Sequence, residues 1–133
     1  MKLFSGEGLE PADPRNFVGT ARARRLPLLE KEKADEGGQV VIVYLVDFEA
    51  GARTNWHRHS APQLLLVKEG RGLVQKWGEP VREIAAGDAV RIDPNEKHWH
   101  GAAPGTRMAH FAVNLNLTTE WLEPVSDEHY RAS

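Results

Sequence analysis

The chain has 133 residues, of which 41% are hydrophobic and 27% are charged, and this composition fits one globular domain with an ordinary core. Its formal net charge is −2 and its lysines and arginines form no run, which argues against a nucleic-acid-binding surface. It has no cysteine, so disulfides, thiolate catalysis and cysteine-bound zinc are excluded.

The apolar segments are short. The longest apolar run, residues 40–46, falls far below the roughly 20 residues that a membrane-spanning helix needs. The first residues also lack the apolar region of a signal peptide. We therefore expect a cytoplasmic protein with neither a membrane nor a nucleic acid as its partner.

Runs rich in valine, isoleucine, leucine and tryptophan alternate with turn residues at intervals of about ten positions, a spacing typical of an all-β sandwich or barrel. Residues 17–26 alternate small or apolar residues with arginines, as an edge or interface strand would. Residues 39–48 are nearly continuous in apolar residues, which indicates a strand buried on both faces. The predicted strands are residues 17–26, 39–48, 54–59, 63–67, 72–77, 81–84, 89–92, 97–100 and 107–115.

Two local features complete the predicted elements. The sequence EGRG at residues 69–72 predicts a turn that joins strands 63–67 and 72–77 as a hairpin. Only the tail has a helical pattern, in which Ser126 is the N-cap and Asp127 and Glu128 lie in the first turn. No linker or low-complexity segment interrupts residues 1–133, which we expect to form a single domain.

Five of the six histidines fall into three groups, which are His57-Arg-His59, His98-Trp-His100 and His110. Residues two apart on a strand share a face, so each His-x-His pair would point both imidazoles into one cavity. Imidazole is the commonest protein ligand for transition metals, and an amide oxygen follows four residues after the first pair, at Gln63. The pattern predicts a metal held by nitrogen and oxygen donors.

The histidines lie within two longer motifs. The first has Gly51, five residues, His57-x-His59, three residues, Gln63, six residues and Gly70; the second has Gly87, six residues, Pro94, three residues and His98. In order and spacing these resemble the two motifs of the cupin superfamily, over about residues 40–116. The resemblance implies a double-stranded β-helix, or jelly-roll barrel, here with a short C-terminal helix and a metal in its mouth.

The chain departs from the usual cupin pattern at two points. Gln63 stands where the ligand is usually glutamate, so the charge of a bound dication would not be neutralised by its ligands, and the metal would be a stronger Lewis acid. The second motif has one extra residue before Pro94, and Asn95-Glu96 stands where a glycine is common. We expect a bulge beside the site there.

A narrower resemblance rests on residues 51–57, 96–102 and 108–110, and on Trp121 and residues 127–130. These segments are similar to the small bacterial manganese cupins that include hydroxynitrile lyases, within a group labelled carboxymuconolactone-decarboxylase-like. The resemblance implies a homodimer or homotetramer, with contact through residues 17–26, and a divalent metal, with manganese favoured over iron, zinc or nickel. It implies metal ligands His57, His59, Gln63 and His98, catalytic residues His100 and His110, and a substrate pocket lined by Val46, Thr54 and Asn114.

The function implied is cleavage of a small-molecule cyanohydrin such as mandelonitrile into aldehyde and cyanide, with a histidine as general base. Two other functions fit the same residues: a dioxygenase or isomerase that uses iron, and a non-enzymatic cupin that binds a small molecule or metal. The residues alone also leave roles open, since His98 and His100 could exchange places and Gln63 could orient a ligand. Trp56 and Trp99 should point away from the metal, and Trp121 is assigned to packing.

Overall fold

The computed structural model describes residues 1–26, 41–115 and 117–131, and their regular secondary structure is strand apart from one short helix near the C-terminus, as predicted. The first two residues of predicted strand 39–48 lie outside the described ranges. The elements are β1 (Glu10–Pro11), β2 (Phe17–Val18), β3 (Ala21–Leu26), β4 (Val41–Phe48), β5 (Arg53–Thr54), β6 (His57–His59), β7 (Gln63–Lys76), β8 (Arg82–Ala85), β9 (Ala89–Ile92), β10 (His98–Ala102), β11 (Met108–Leu115), β12 (Thr119–Trp121) and α1 (Asp127–Arg131).

Two antiparallel sheets face each other and share the long strand β7. The first half of β7 pairs with β9 and β11, and β4, β3 and β1 continue that sheet. The second half of β7 pairs with β8 and β10. Strand β10 also pairs with β5 and β6, and these pair in turn with β2 and β12, respectively. The sheet therefore folds over on itself into a jelly-roll barrel, which confirms the predicted fold class.

A bulge in β7 replaces the predicted hairpin at residues 69–72, and this prediction was wrong. His110 of β11 pairs with Val67 while the preceding Ala109 pairs with Glu69, so Lys68 is the extra residue. Before the bulge the odd-numbered residues of β7 face the interior; after it Val74, an even-numbered residue, packs against the interior core. One strand can therefore supply the inner face of both sheets.

Apolar side chains fill the space between the sheets and a second layer behind them. The inner core contains Phe48, Val67 and Met108. On the back of the second sheet, Trp56 and Trp99 pack with Val125 and Tyr130 of the C-terminal segment. Both tryptophans therefore point away from the histidines, as strand alternation predicts. The phenol of Tyr130 also donates a hydrogen bond to the carbonyl of Ala102 at 2.6 Å, which ties the C-terminal helix to β10.

Three further predicted boundaries differ from the structure. Predicted strand 17–26 is interrupted, because Gly19 has a positive φ of 81° and separates β2 from β3. Predicted strand 54–59 divides into β5 and β6, since the backbone N–H of Trp56 bonds to Glu123 rather than to the sheet. The bulge expected near Asn95 is a turn, in which Asn95 takes the left-handed conformation with φ 64°.

Among the described residues, no helix has the length and the apolar character that crossing a bilayer requires.

Gly70 makes the bulge possible, and its replacement should destabilise the fold. Its φ is 76°, and a β-carbon there would collide with the carbonyl oxygen of Arg107. We expect Gly70→Ala to lower the free energy of unfolding by more than 3 kcal/mol, with strain and collision combined. Gly78, with φ 85° and open space around it, is the matched control, and Gly78→Ala should lose only about 1–2 kcal/mol. Equal losses in urea denaturation would show that the collision is unimportant.

Candidate metal and acid–base site

Four histidines meet because their strands are neighbours. β6 carries His57 and His59, β10 carries His98 and His100, and the two strands pair with His57 directly opposite His98. The ring centroids of this opposed pair lie 4.2 Å apart, and the ring of His59 lies 5.0 Å from that of His98. All four side chains are buried. The two-residue spacing in the sequence therefore brings the imidazoles together as predicted.

Hydrogen bonds to the backbone fix the protonation of two of these rings. Nδ1 of His57 lies 2.8 Å from the carbonyl oxygen of Asn55, and Nδ1 of His98 lies 2.8 Å from that of Glu96. A carbonyl can only accept, so both Nδ1 atoms carry the proton and donate it. Each ring is thereby left with its lone pair on Nε2, which is the arrangement that metal-binding histidines use.

Asn114 fixes the orientation of the predicted oxygen ligand. Nε2 of Gln63 donates a hydrogen bond to Oδ1 of Asn114 at 2.7 Å, across the pair formed by β7 and β11. Gln63 is only 4% exposed, and its Oε1 is buried without a partner. The amide therefore presents its oxygen, and not its nitrogen, for other contacts. Asn114, predicted as a pocket residue, lines the cavity and also orients Gln63.

His100 and His110 form a hydrogen-bonded pair beside the other histidines. Nδ1 of His100 lies 3.0 Å from Nε2 of His110, and both rings are buried. Thr54 accepts a hydrogen bond from the backbone N–H of His100 at 3.2 Å, and Val46 pairs with His110 across β4 and β11. Because each nitrogen of an imidazole can donate or accept, a proton can lie on either side of this contact.

Burial keeps these imidazoles in their neutral form. It lowers the pKa of His57 and of His100 well below the usual range, with smaller contributions from neighbouring histidines. Burial also lowers the pKa of His59, His98 and His110 to about 4. At neutral pH all five rings are therefore uncharged, which is the state in which imidazole binds a metal or removes a proton.

The site contains several polar atoms that only a ligand or water could satisfy. One nitrogen from each of His57, His98 and His100 lies within 4.8 Å of the others, so the three could hold a metal ion. Buried atoms without a hydrogen-bond partner include Nδ1 of His59, Oε1 of Gln63 and Nε2 of both His98 and His100. The donor set therefore fits a divalent metal. The tight group contains His100, which the sequence assigned to catalysis, in place of His59.

A cavity of about 350 Å³ opens beside these donors. The predicted pocket residues Val46, Thr54 and Asn114 line it, together with His57, His59, Gln63, His100 and His110. An apolar wall completes the lining. This wall is contributed by β2, β4, β12 and the segment before β12, through Phe17, Ile42, Tyr44, Leu117 and Trp121.

The sequence does not predict this wall. Its pattern assigns Trp121 to packing, whereas the indole lines the cavity, stacks on His57 with 4.7 Å between ring centroids and remains 38% exposed. The pattern assigns no role to the N-terminal residues Ala12, Asp13 and Asn16, which line the cavity as well. A strand of only three residues, such as β12, shows too little alternation to be found from the sequence.

Comparisons with known proteins agree with this fold. A family model described as "Cupin domain" matches residues 44–115. A protein of Granulicella tundricola named (R)-mandelonitrile lyase is 51% identical over an alignment of 130 residues. The match covers 96% of this chain and 92% of that protein. A cupin-like protein from Thermotoga maritima superposes with a TM-score of 0.81 at 37% identity, covering 91% of this chain and 90% of its own. A polyketide cyclase from Streptomyces resistomycificus shares the fold, with a TM-score of 0.70 at 17% identity over 98% of this chain and 90% of its own.

The buried histidines should make the metal-free protein sensitive to acid. Above about pH 6.5 they are neutral in both folded and unfolded chains, and stability is independent of their titration. As the pH falls toward about 4, the unfolded chain binds protons that the folded chain excludes. The free energy of unfolding should therefore fall, by up to about 1.4 kcal/mol per pH unit for each histidine.

Urea denaturation of chelator-treated protein between pH 7 and pH 4.5 measures this effect. His110→Gln removes one of the five buried histidines, so the free energy of unfolding of this variant should fall less steeply with decreasing pH than that of the wild type. A free energy of unfolding that stays flat, or rises, as the pH falls would contradict the assignment of neutral buried rings.

Proposed function

The chain belongs to the cupin family, and from this we propose that it is a metal-dependent lyase that cleaves a cyanohydrin into an aldehyde and cyanide. The observation that carries the proposal is the His100–His110 pair, whose facing nitrogens lie 3.0 Å apart, buried, with the His100 ring 5.3 Å from that of His57 and 5.8 Å from that of His98. A protein that only held a metal would not need such a pair. The name of the Granulicella tundricola relative, (R)-mandelonitrile lyase, supports the same class of reaction.

We assign the metal ligands to His57, His59, Gln63 and His98. His57 and His98 donate Nδ1–H to backbone carbonyls, which leaves Nε2 free, and Gln63 is held with its oxygen free. His59 has a buried nitrogen without a partner. His100 differs, because its Nδ1 contacts another imidazole and not a carbonyl. It is therefore better placed to move a proton than to hold a fixed tautomer.

We favour manganese over iron, zinc or nickel because the chain resembles small manganese cupins, whereas three imidazoles and an amide oxygen would by themselves accept any of the four. All four donors are neutral, so a bound dication would keep its full charge and would stabilise the oxyanion or the departing cyanide. The absence of a carboxylate among them also counts against a ferrous oxygenase of the two-histidine-one-carboxylate type.

His100 acts as the base in the proposed reaction. Its Nε2 is buried without a partner, and burial keeps the ring unprotonated at neutral pH. Nε2 removes the hydroxyl proton, a lone pair on the resulting alkoxide oxygen forms the second C–O bond of the aldehyde, and the C–C bond breaks with its electrons on cyanide. The protonated ring then returns the proton to cyanide, and HCN leaves. Its low pKa makes the imidazolium a strong acid for this second step.

His110 supports the proton transfer. When His100 gains a proton at Nε2, its Nδ1–H donates to Nε2 of His110, and the positive charge is shared between two rings. Thr54 accepts a hydrogen bond from the backbone of His100 and so fixes the base relative to the cavity. The apolar wall of the cavity would shield the carbonyl group and its substituent from water.

Two further expectations stay predictions. The first is assembly into a homodimer or homotetramer with contact through residues 17–26. Within the chain, Arg24 of this region donates to the carbonyl oxygens of Ser5 and Glu7. A cytoplasmic location is the second expectation.

Replacing the base should abolish cleavage without removing the metal. We expect His100→Ala to lower the rate of mandelonitrile cleavage per bound Mn²⁺ by about 10²–10⁴-fold, the usual contribution of a general base. His110→Ala should lose less, because the base itself survives. His129→Gln is the matched control, since His129 is exposed and lies on α1, and its rate should equal that of the wild type.

The measurement is release of benzaldehyde from mandelonitrile, normalised to metal content. Full activity per bound metal in His100→Ala would show that another residue is the base. Failure of the metal-loaded wild type to cleave any cyanohydrin would contradict the proposed function itself.

A further inference from the structure

The apolar wall of the cavity contains an aromatic side chain placed against a proposed metal ligand. Trp121 of β12 lies opposite His57 of β6, and their rings stack with an interplanar angle of 28°. The ring of Phe17 leans against the indole at a centroid distance of 5.9 Å. Trp121 therefore lies directly against a ring that borders the site of chemistry, and Phe17, from a distant part of the chain, supports the indole.

The position of Trp121 is fixed by the outer face of the same strand pair. Arg58 and Glu120, which alternate with the inward residues, form two parallel hydrogen bonds of 3.0 Å between guanidinium and carboxylate. This pair holds β12 in register with β6, so Trp121 stays over His57. Residue Thr119, which shares the inward face with Trp121, also lines the cavity.

Trp121 has more free surface than the other aromatic residues of the wall. Phe17 and Tyr44 pack against the core between the sheets. Trp121 keeps 38% of its surface exposed although it is one of the most hydrophobic side chains of the site. An exposed indole at the edge of a cavity offers a flat apolar surface on which a planar ring can be buried.

We propose that Trp121, backed by Phe17, binds the aryl group of the substrate and sets a preference for aromatic over aliphatic carbonyl compounds. This inference rests on the proposed function of the same cavity, since the reacting carbon must lie near His100. The aryl ring contacts the indole, while the oxygen of the substrate points toward the histidines. Contact between two aromatic rings favours the aromatic compound roughly threefold to tenfold beyond the effect of burial alone.

Binding of two aldehydes of equal ring size separates this role from packing. Neither benzaldehyde nor cyclohexanecarbaldehyde turns over without cyanide, so their dissociation constants for the Mn²⁺-loaded protein can be measured by calorimetry. We expect Trp121→Leu to weaken benzaldehyde binding roughly threefold to tenfold and to change cyclohexanecarbaldehyde binding less than twofold. Trp121→Phe, which keeps an aromatic face, should recover most of the loss.

Trp77→Leu is the matched control, because Trp77 is 49% exposed and packs on Trp56 and Lys97 outside the cavity. It should leave both constants unchanged. An equal loss for both aldehydes in Trp121→Leu, or no binding of either by the wild type, would overturn the inference.

Cyanohydrin cleavage measured on the same variants separates this inference from the proposed function. Selective binding through Trp121 without any cleavage would refute the lyase and leave the aryl site standing. Cleavage with an unchanged ratio of aromatic to aliphatic kcat/KM in Trp121→Leu would refute the aryl site and leave the lyase standing.

Discussion

The constraint on which this structure depends is the burial of five imidazoles and one amide at one end of a small barrel. A buried polar atom without a partner destabilises a fold by about 1–3 kcal/mol, and this end of the barrel holds five such atoms on His59, Gln63, His98, His100 and His110. The rest of the chain must offset that loss through its apolar cores. The residues that suit the chemistry therefore lower the stability of the fold. A metal or substrate that binds these atoms would raise the free energy of unfolding again.

The two-sheet frame places these residues with little freedom. β7 contributes Gln63 to the first sheet and continues into the second, where it pairs with β10 and so positions His98 and His100. The bulge at Lys68 lets one strand face the interior in both sheets, and Gly70 accommodates the sharp local geometry. Behind β10, the C-terminal segment fixes the strand through Tyr130. Each donor of the site thus rests on a strand that is supported on its other side.

The sequence predicted what depends on local period and missed what depends on pairing. Histidines two residues apart share a face in any strand, so it could be predicted that His57 faces one cavity with His59, and His98 with His100. That the two pairs meet depends on the pairing of β6 with β10. At residues 69–72, however, a glycine with positive φ suits a hairpin and a bulge equally well. Only β11, some forty residues away in sequence, decides between them. The aromatic wall depends in the same way on β12 pairing with β6, which no local pattern reveals.

The central claim is that one metal ion binds the four neutral donors of the cavity and leaves His100 free as a base. Anomalous diffraction at the manganese edge from crystals of the Mn²⁺-loaded protein tests it most directly. We expect one peak per chain, about 2.0–2.3 Å from nitrogen atoms of His57, His59 and His98 and from Oε1 of Gln63. A peak bound by His100 in place of His59 and Gln63, or one outside the cavity, would contradict it.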